Sequence, residues 1–561
     1  MNRSTATEIK KTGATFTPVP LANFLAKQIV SCFAAKTESM TVIDPACGDG
    51  ALLNAMVERL PKAEAKVIGY DTNSTYLQQA KDTLNSFSET NHVSLRQCDF
   101  LSVFSGQTDL FSDTTETAIA DIVIANPPYV RTQILGTERA RQLARLYKLS
   151  GRIDLYYPFI IAMTNALKRG GVLGMITSNR YLLTKSGADV RKFLLENYDI
   201  LEVIDLGDTK LFDAAVLPAI FIGQKKLSKN AKSAHVGRFR SIYESACQDF
   251  CQKVPVADTL FDVLERNVPG TYLVKGRLYD LKSGLLKHST DKNDVWKMST
   301  EVENDWLETI HHHTTFRVGD RFKVRVGVKS CADNIFIDKR WEQEHFDLEP
   351  QLLMPLISQE NIDTWHIDLN AMPRVLYPHY SQSGKRKVYD LDRYPIAKRY
   401  LEKYRPALEK REYLIKARRQ WYEYWVPQNP DLWRLPKVVF PDISLYPRFC
   451  FDESGALVNG NCYWMCAQND EERRLLLLIE GVCNSELMKK YHDICFNNKL
   501  YSGRRRYLAQ YIEQYPMPDP NSKMAQDIVQ VVKAINHSQK DTMQGVLVKQ
   551  LNDLVNKAFS V

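Results

Sequence analysis

No apolar run in the 561 residues approaches the roughly 20 needed to cross a bilayer, so no membrane-spanning helix is expected. The opening MNRSTATEIKKTGATFTP lacks the apolar centre of a secretory signal, and a cytoplasmic location is expected. Eleven cysteines are present, yet none has the close paired spacing of a zinc site. The CxxxC pairs Cys247/Cys251 and Cys462/Cys466 lack well-placed histidines. His311, His312 and His313 are consecutive, which on most backbones points their rings apart. Free thiols and no metal are the expectation. Also missing are an internal repeat, a long low-complexity linker, a GxGxxG dinucleotide loop and a nuclease constellation of two acids and a lysine.

What remains is a long chain of globular composition, 44% hydrophobic and 25% charged, which predicts two or three domains. Its net charge of +8 is uneven: residues 1–226 hold 25 Lys+Arg against 23 Asp+Glu, a surplus of 2, which leaves 6 for the remainder. Residues 385–424 alone hold 13 Lys+Arg against 6 Asp+Glu, interleaved with tyrosines and with Trp421. Positive charge attracts phosphate and aromatic faces stack on bases. The stretch KRYLEKYRPALEKREYLIKARR equally fits a helix with a solvated charged face.

A helix is predicted over 20–35, followed by TVIDPACGDG as strand and tight turn and ALLNAMVERL as helix. KVIGYD, HVSLRQCDF, ADIVIANPPY, GGVLGMITS, LEVIDLG and AVLPAIFIGQKK continue as strands, with helices over 154–168 and 186–197. Such alternation predicts an α/β domain with a Rossmann-like, doubly wound parallel sheet. Beyond it, short strands and proline-rich turns predict an α+β region, and the tail after Asn521 has helical periodicity. The expected division is a catalytic domain over 1–245, a connecting segment over 246–310 and a second domain over 311–561 that ends in helices.

Ligands of such sheets bind beyond the carboxyl ends of the strands, and here those ends carry Asp44, Asp71, Asp99 and Asn126. Gly48 and Gly50 let the first turn approach a ligand closely. Asp71 can accept from two ribose hydroxyls, Asp44 can pair with an ammonium group, and Asp99 can accept from an adenine amine. Acids at these places repel phosphate, so a cationic nucleoside without phosphate fits better than a dinucleotide.

Asn126-Pro127-Pro128-Tyr129 follows the apolar strand DIVIA and is the most specific signal in the chain. An exocyclic amine is a poor nucleophile because its lone pair is delocalised into the ring. The Asn126 side-chain oxygen and the Pro127 carbonyl can each accept one amine proton, which frees the lone pair for attack on a methyl donor. Pro127 and Pro128 hold the carbonyl in place, and Tyr129 offers a ring to the base.

FTP at 16–18, DPACGDG at 44–50, GYD at 69–71, CDF at 98–100 and NPPY at 126–129 together resemble the gamma-class, TaqI-type adenine-N6 DNA methyltransferases of restriction-modification systems. DLYYPF at 154–159, GGVLGMITS and LGDTKLFDAAVLPAIFIG at 206–223 extend the likeness over some 220 residues. The resemblance implies S-adenosylmethionine as cofactor, bound by Thr17, Asp44, Ala46, Gly48, Asp71, Asp99, Phe100 and Asn126. It implies that Phe212 stacks on the target adenine opposite Tyr129, and that the base is flipped out of duplex DNA. VRVGVKSCADNIFI at 324–337, WRLPKVVFPDIS at 433–444 and NKLYSGRRRYLAQYIEQYPMP at 498–518 resemble target-recognition domains. A monomer acting beside a separate restriction endonuclease is the expected arrangement.

The tetrapeptide fixes the nitrogen type and not the polymer, since a protein glutamine or an RNA base poses the same electronic problem. More than 300 residues with a basic, aromatic stretch behind the catalytic part favour DNA. A non-catalytic DNA-binding protein on the same scaffold is disfavoured by the intact Asp44, Asp71 and NPPY. Candidate DNA contacts are Arg374, Lys385, Arg386, Arg418, Arg419 and Arg504.

Overall fold

Val42 and Ile43, Val67 and Ile68, Ile122 and Val123 are successive residues that point to opposite faces of a strand, yet all six are fully buried in the computed structural model. Both faces of their sheet must therefore be covered, which is why these strands read as continuous apolar runs. The described residues are 16–561 apart from 34–38, 61–63, 88–91, 106–117, 130–135, 148, 150–153, 185–186, 213–216, 229–236, 246–253, 287–295, 297, 339–340, 342–347, 497–499, 501–502 and 539–541. Cys247 and Cys251 lie outside them; the nine described cysteines are free.

The chain divides into two compact units, Met1–Glu301 with Leu500–Gly503, and Val302–Lys499 with Arg504–Val561. The first holds β1 (Ser39–Asp44), β2 (Glu64–Asp71), β3 (His92–Gln97), β4 (Ala120–Ala125), β5 (Leu167–Ser178), β6 (Tyr198–Asp205), β7 (Pro218–Lys225), β8 (Arg238–Glu244), β9 (Val256–Ala257), β10 (Gly270–Val274) and β11 (Arg277–Leu285). They form one 11-stranded sheet in the order β3-β2-β1-β4-β5-β7-β6-β8-β11-β10-β9. Helices Val19–Cys32 and Ala51–Val57 pack with Val42, Val67, Ile122 and Ile124 on one face. Helix Tyr156–Ala166 packs with Ile43, Ile68, Val123 and Ala125 on the other.

β1 to β5 pair in parallel, as the sequence predicts. β7 departs from that pattern, inserting antiparallel between β5 and β6. A parallel return needs a crossover, usually helical, and residues 206–217 hold no helix among those described. Residues 256–285, within the stretch expected only to connect, carry β9, β10 and β11 of the same sheet. Lys275 and Gly276 turn β10 into β11, both at positive φ as the tight hairpin requires.

The second unit is α+β. Its strands β12 (Phe316–Arg317), β13 (Arg325–Val326), β14 (Leu353–Ile357), β15 (Arg374–Leu376), β16 (His379–Gln382), β17 (Lys385–Val388), β18 (Lys437–Pro441), β19 (Ile443–Ser444), β20 (Cys450–Asp452), β21 (Leu457–Val458), β22 (Cys462–Cys466), β23 (Arg505–Arg506) and β24 (Pro516–Met517) form small sheets of two to four strands. The expected tail helices are Lys523–His537 and Thr542–Ala558. The stretch that reads as one charged helix is broken into Pro395–Lys403, Arg405–Glu409 and Glu412–Lys416. Pro406 has no N–H to extend the first of these. Among the described residues no helix is long and apolar enough to cross a membrane, and no cluster of acids, cysteines and histidines is placed to hold a metal.

Two buried charges fix details of the first unit. Arg240 on β8 grips Glu202 on β6 through Nε and Nη2, each at 2.7 Å, and donates further to the Leu264 carbonyl and to Gln28. At the end of β1, Asp44 is fully buried, and one of its oxygens accepts from the Ala46 amide at 3.0 Å. Burial first, then the neighbouring charges of Asp71 and Asp49, push its carboxyl up to about 8.

Arg240→Met strands the Glu202 carboxylate in the interior and is expected to cost about 3–5 kcal/mol in urea denaturation. Adding Glu202→Leu should recover most of that loss; a double variant no more stable than the single would show that the charge pairing is immaterial. For Asp44 the folded state retains a proton that the unfolded chain releases at acidic pH. Thermal melts of the unliganded protein should therefore lose stability relative to Asp44→Asn as pH rises from 5 towards 8, and level above it. A gap between the two that ignores pH would overturn the assignment.

Candidate active site

The turn that leaves β1 is built by hydrogen bonds that its own residues dictate. The Cys47 amide donates to the Tyr70 carbonyl and the Gly50 amide to the Cys47 carbonyl, each at 2.8 Å. Gly48 and Gly50 have φ of 52° and 82°, where a side chain is strained, and a Cβ on Gly50 would lie 3.1 Å from the Ala80 backbone. Asp71, ending β2, ties the next loop to this one: one oxygen accepts from the Gly48 amide at 3.1 Å and the other from the Asn73 amide at 2.8 Å.

These loops enclose a partly open cleft with a cavity volume of about 140 Å³. Of the residues predicted from sequence, Ala46, Gly48, Asp71, Asp99, Phe100, Asn126 and Pro128 line it. Phe100 is buried beneath, its ring nearly parallel to that of Phe159 at 6.3 Å. An acid between two loop amides, a glycine backbone and an aromatic floor suit a nucleoside: the acid meets hydroxyls, and the ring meets the base.

Three expected ligands are placed differently. The wall beside Asp44 is formed by Pro45 and Ala46; one Asp44 oxygen anchors the turn, and the other is buried without a hydrogen-bond partner among the described residues. Asp99 accepts from the Leu101 amide with one oxygen, while the other meets the Arg139 guanidinium at 2.9 Å. Thr17 lies off the cleft, its hydroxyl accepting from the Asn126 side-chain amide at 2.9 Å.

That contact orients the candidate catalytic residue. With Nδ2 of Asn126 directed at Thr17, Oδ1 faces the other way and accepts from the Tyr129 hydroxyl at 2.7 Å. Burial pushes the Tyr129 phenol above its usual value, so it stays protonated and able to donate. Its ring meets that of Phe212 at 6.5 Å and 64°. Sequence reasoning places Tyr129 and Phe212 on either side of a base; here they touch edge to face. Two rings flanking a base at van der Waals distance would stand parallel and about 7 Å apart.

Several residues of the site escape the sequence reading. Phe16 and Tyr76 meet edge to face at 5.1 Å on the cleft wall, where Pro45, Thr72, Asn73, Cys98 and Phe159 also contribute. Phe16 and Phe159 lie inside the quoted motifs FTP and DLYYPF, and Tyr76 opens the helix after Asp71. Arg139 carries no local signal. Of the candidate DNA contacts, Arg374, Lys385, Arg386, Arg418 and Arg504 are exposed, whereas Arg419 donates to the carbonyls of Tyr424 and Trp425.

Comparison with known proteins identifies the family. Residues 51–212 match the family described as Eco57I restriction-modification methylase. The chain is 39% identical to the type II methyltransferase M.BanIII of Aneurinibacillus aneurinilyticus, over 98% of this chain and 97% of that one. It is 25% identical to the type II methyltransferase M.BstVI of Geobacillus stearothermophilus, over 86% of each. Among solved structures, the type IIL restriction-modification enzyme MmeI in complex with DNA shares the fold, with a TM-score of 0.61 at 12% identity over 99% of this chain and 72% of that one. A 39% identity to M.BanIII over nearly the whole of both chains, and a methylase-family match over residues 51–212, lead to one conclusion: the chain belongs to the type II methyltransferases of restriction-modification systems and uses S-adenosylmethionine.

Proposed function

We propose that the protein methylates the exocyclic N6 of adenine in duplex DNA, at a specific sequence and on a base flipped out of the helix. The observation that carries this is the contact between Tyr129 and Asn126. A hydroxyl already donates a hydrogen bond to the oxygen at which the sequence places an amine proton. The site is thus built to satisfy that oxygen with a donor, and an incoming base amine takes over the same acceptor.

S-adenosylmethionine supplies an electrophilic methyl group when bound. The chain's own residues supply the rest. Asp71 receives ribose hydroxyls between the Gly48 and Asn73 loops. Asp99 receives the cofactor's adenine amine once Arg139 yields its place. Asn126 Oδ1 and the Pro127 carbonyl draw the two amine protons of the target base out of the ring plane, which makes the nitrogen pyramidal. Its nitrogen lone pair is thereby withdrawn from the ring and directed outward. Thr17 keeps the Asn126 amide from turning its NH2 group towards the base, and Tyr129, once displaced, is free to lie against the ring. The α+β unit with its basic surplus recognises the DNA target. In the cell the protein would act as a monomer in the cytoplasm, protecting host DNA from a separately encoded restriction endonuclease.

Long-read sequencing of DNA from a methylation-free host that expresses the protein tests the proposal directly. N6-methyladenine at one short motif is expected; unmodified DNA, or methyl groups on another base, would overturn it. Asn126→Ala should largely retain S-adenosylmethionine binding in calorimetry while tritium transfer to duplex falls by at least about a hundredfold. Tyr129→Phe keeps the ring and removes the competing hydroxyl, so its turnover should stay near normal. Tyr129→Ala should raise KM for DNA about tenfold through lost stacking. Equal losses in the two Tyr129 variants would place the hydroxyl, not the ring, at the centre of base capture.

A further inference from the structure

The basic stretch 385–424 divides into charges that already have partners and charges that do not. Lys398 pairs with Asp392, Arg405 with Glu409 and Lys416 with Glu412. Arg411 donates to the carbonyls of Ser330, Trp421 and Glu423, and Arg419 closes the loop at Tyr424 and Trp425. Lys385, Arg386 and Lys387, three consecutive cations, are exposed and make no ion pair among the described residues.

All three lie on a ribbon of two strands, β16 and β17, that pair with each other alone. Ser383 and Gly384 join them at φ of 52° and 72°, the left-handed pair that a two-residue hairpin turn demands. Nothing lies within 4 Å of where a Cβ on Gly384 would stand, so the tip is in open space. The base is held firmly. His379 is buried and accepts from the Tyr424 amide at 3.1 Å, and the Tyr389 amide donates to the Pro378 carbonyl at 3.0 Å. The Tyr380 ring stacks on Tyr389 at 4.6 Å. Cross-strand register sets Gln382 opposite Lys385 and Tyr380 opposite Lys387 on one face, with Arg386 and Ser381 on the other. Ser381 donates to Asp431, which anchors that second face.

We propose that this ribbon enters the major groove of the target duplex, with Gln382 and Lys385 facing base edges and Arg386 and Lys387 meeting phosphates. The inference rests on the DNA-methylating activity proposed above and adds the element that reads the sequence. The dimensions agree: a strand of four residues extends about 13 Å, and the major groove is about 12 Å wide and about 8.5 Å deep and admits a two-stranded ribbon. A glutamine amide can bridge the N6 and N7 edge of adenine, and a lysine can donate to guanine. Three cations that make no ion pair among the described residues suit a polyanion, and their fixed base makes a probe rather than a tether.

The test compares full-length wild type with Gln382→Ala and with a triple variant, Lys385→Gln, Arg386→Gln and Lys387→Gln. Methylated motifs are mapped by long-read sequencing, and affinity for a duplex carrying the wild-type motif is followed by fluorescence anisotropy from low to high salt. The triple variant should bind more weakly, with a log–log salt slope shallower by about two to three, and should still bind S-adenosylmethionine normally. Gln382→Ala should lose discrimination at one position of the motif by at least about fivefold. An active wild type whose motif, salt slope and affinity survive every substitution would overturn the ribbon assignment alone. So would equal affinity for double-stranded RNA, whose deep, narrow major groove side chains cannot read. A wild type that transfers no methyl group would sink the catalytic reading, while anisotropy would still decide on the ribbon.

Discussion

The site depends on four strands that end together. β3, β2, β1 and β4 lie side by side and parallel, with Asp44 opposite Gly69 and Asp71 opposite Gln97. Each strand therefore delivers its last polar residue to the same edge of the sheet. The order of connection reverses between β1 and β4, which leaves a crevice there. Helices bury the two faces behind that edge, so the loops above it are carried on a rigid platform.

This platform was largely legible in the sequence. Apolar runs of strand length bounded by glycines and acids mark both where a strand lies and where it stops. What such runs record is burial, not direction: β7 is as apolar as its neighbours, and nothing in PAIFIGQK says that it runs backwards between them. β9 to β11 were harder still, because they are short or partly exposed and lack the continuous apolar runs of the earlier strands. The broken helices over 395–416 show the converse, a charge pattern that suggests continuity where one proline removes a donor.

Within the site, the sequence told which residue types gather and not how they occupy one another. Thr17 and Asn126 are 109 positions apart, and only the folded chain brings their polar atoms to hydrogen-bond distance. Asp99 and Arg139 meet in the same way, outside any local pattern. Most of the side-chain oxygens singled out as acceptors are already engaged, by backbone amides at Asp71 and at one oxygen of Asp44, by a guanidinium at Asp99 and by a phenol at Asn126, whereas the second Asp44 oxygen is buried without a partner among the described residues. Buried acceptors carry a desolvation cost when left empty, so a cleft lined with them arranges internal substitutes.

The phenol on Asn126 has an implication for fidelity. An enzyme that loads its methyl donor before it finds DNA faces long intervals in which stray nucleophiles could drain the donor. A ring that fills the amine's seat denies it to them, and its eviction must be compensated by something with both a flat face and a donor hydrogen. Solvent offers only the second of these, so on the proposed reading idle turnover would be discouraged by the same side chain that then receives the base.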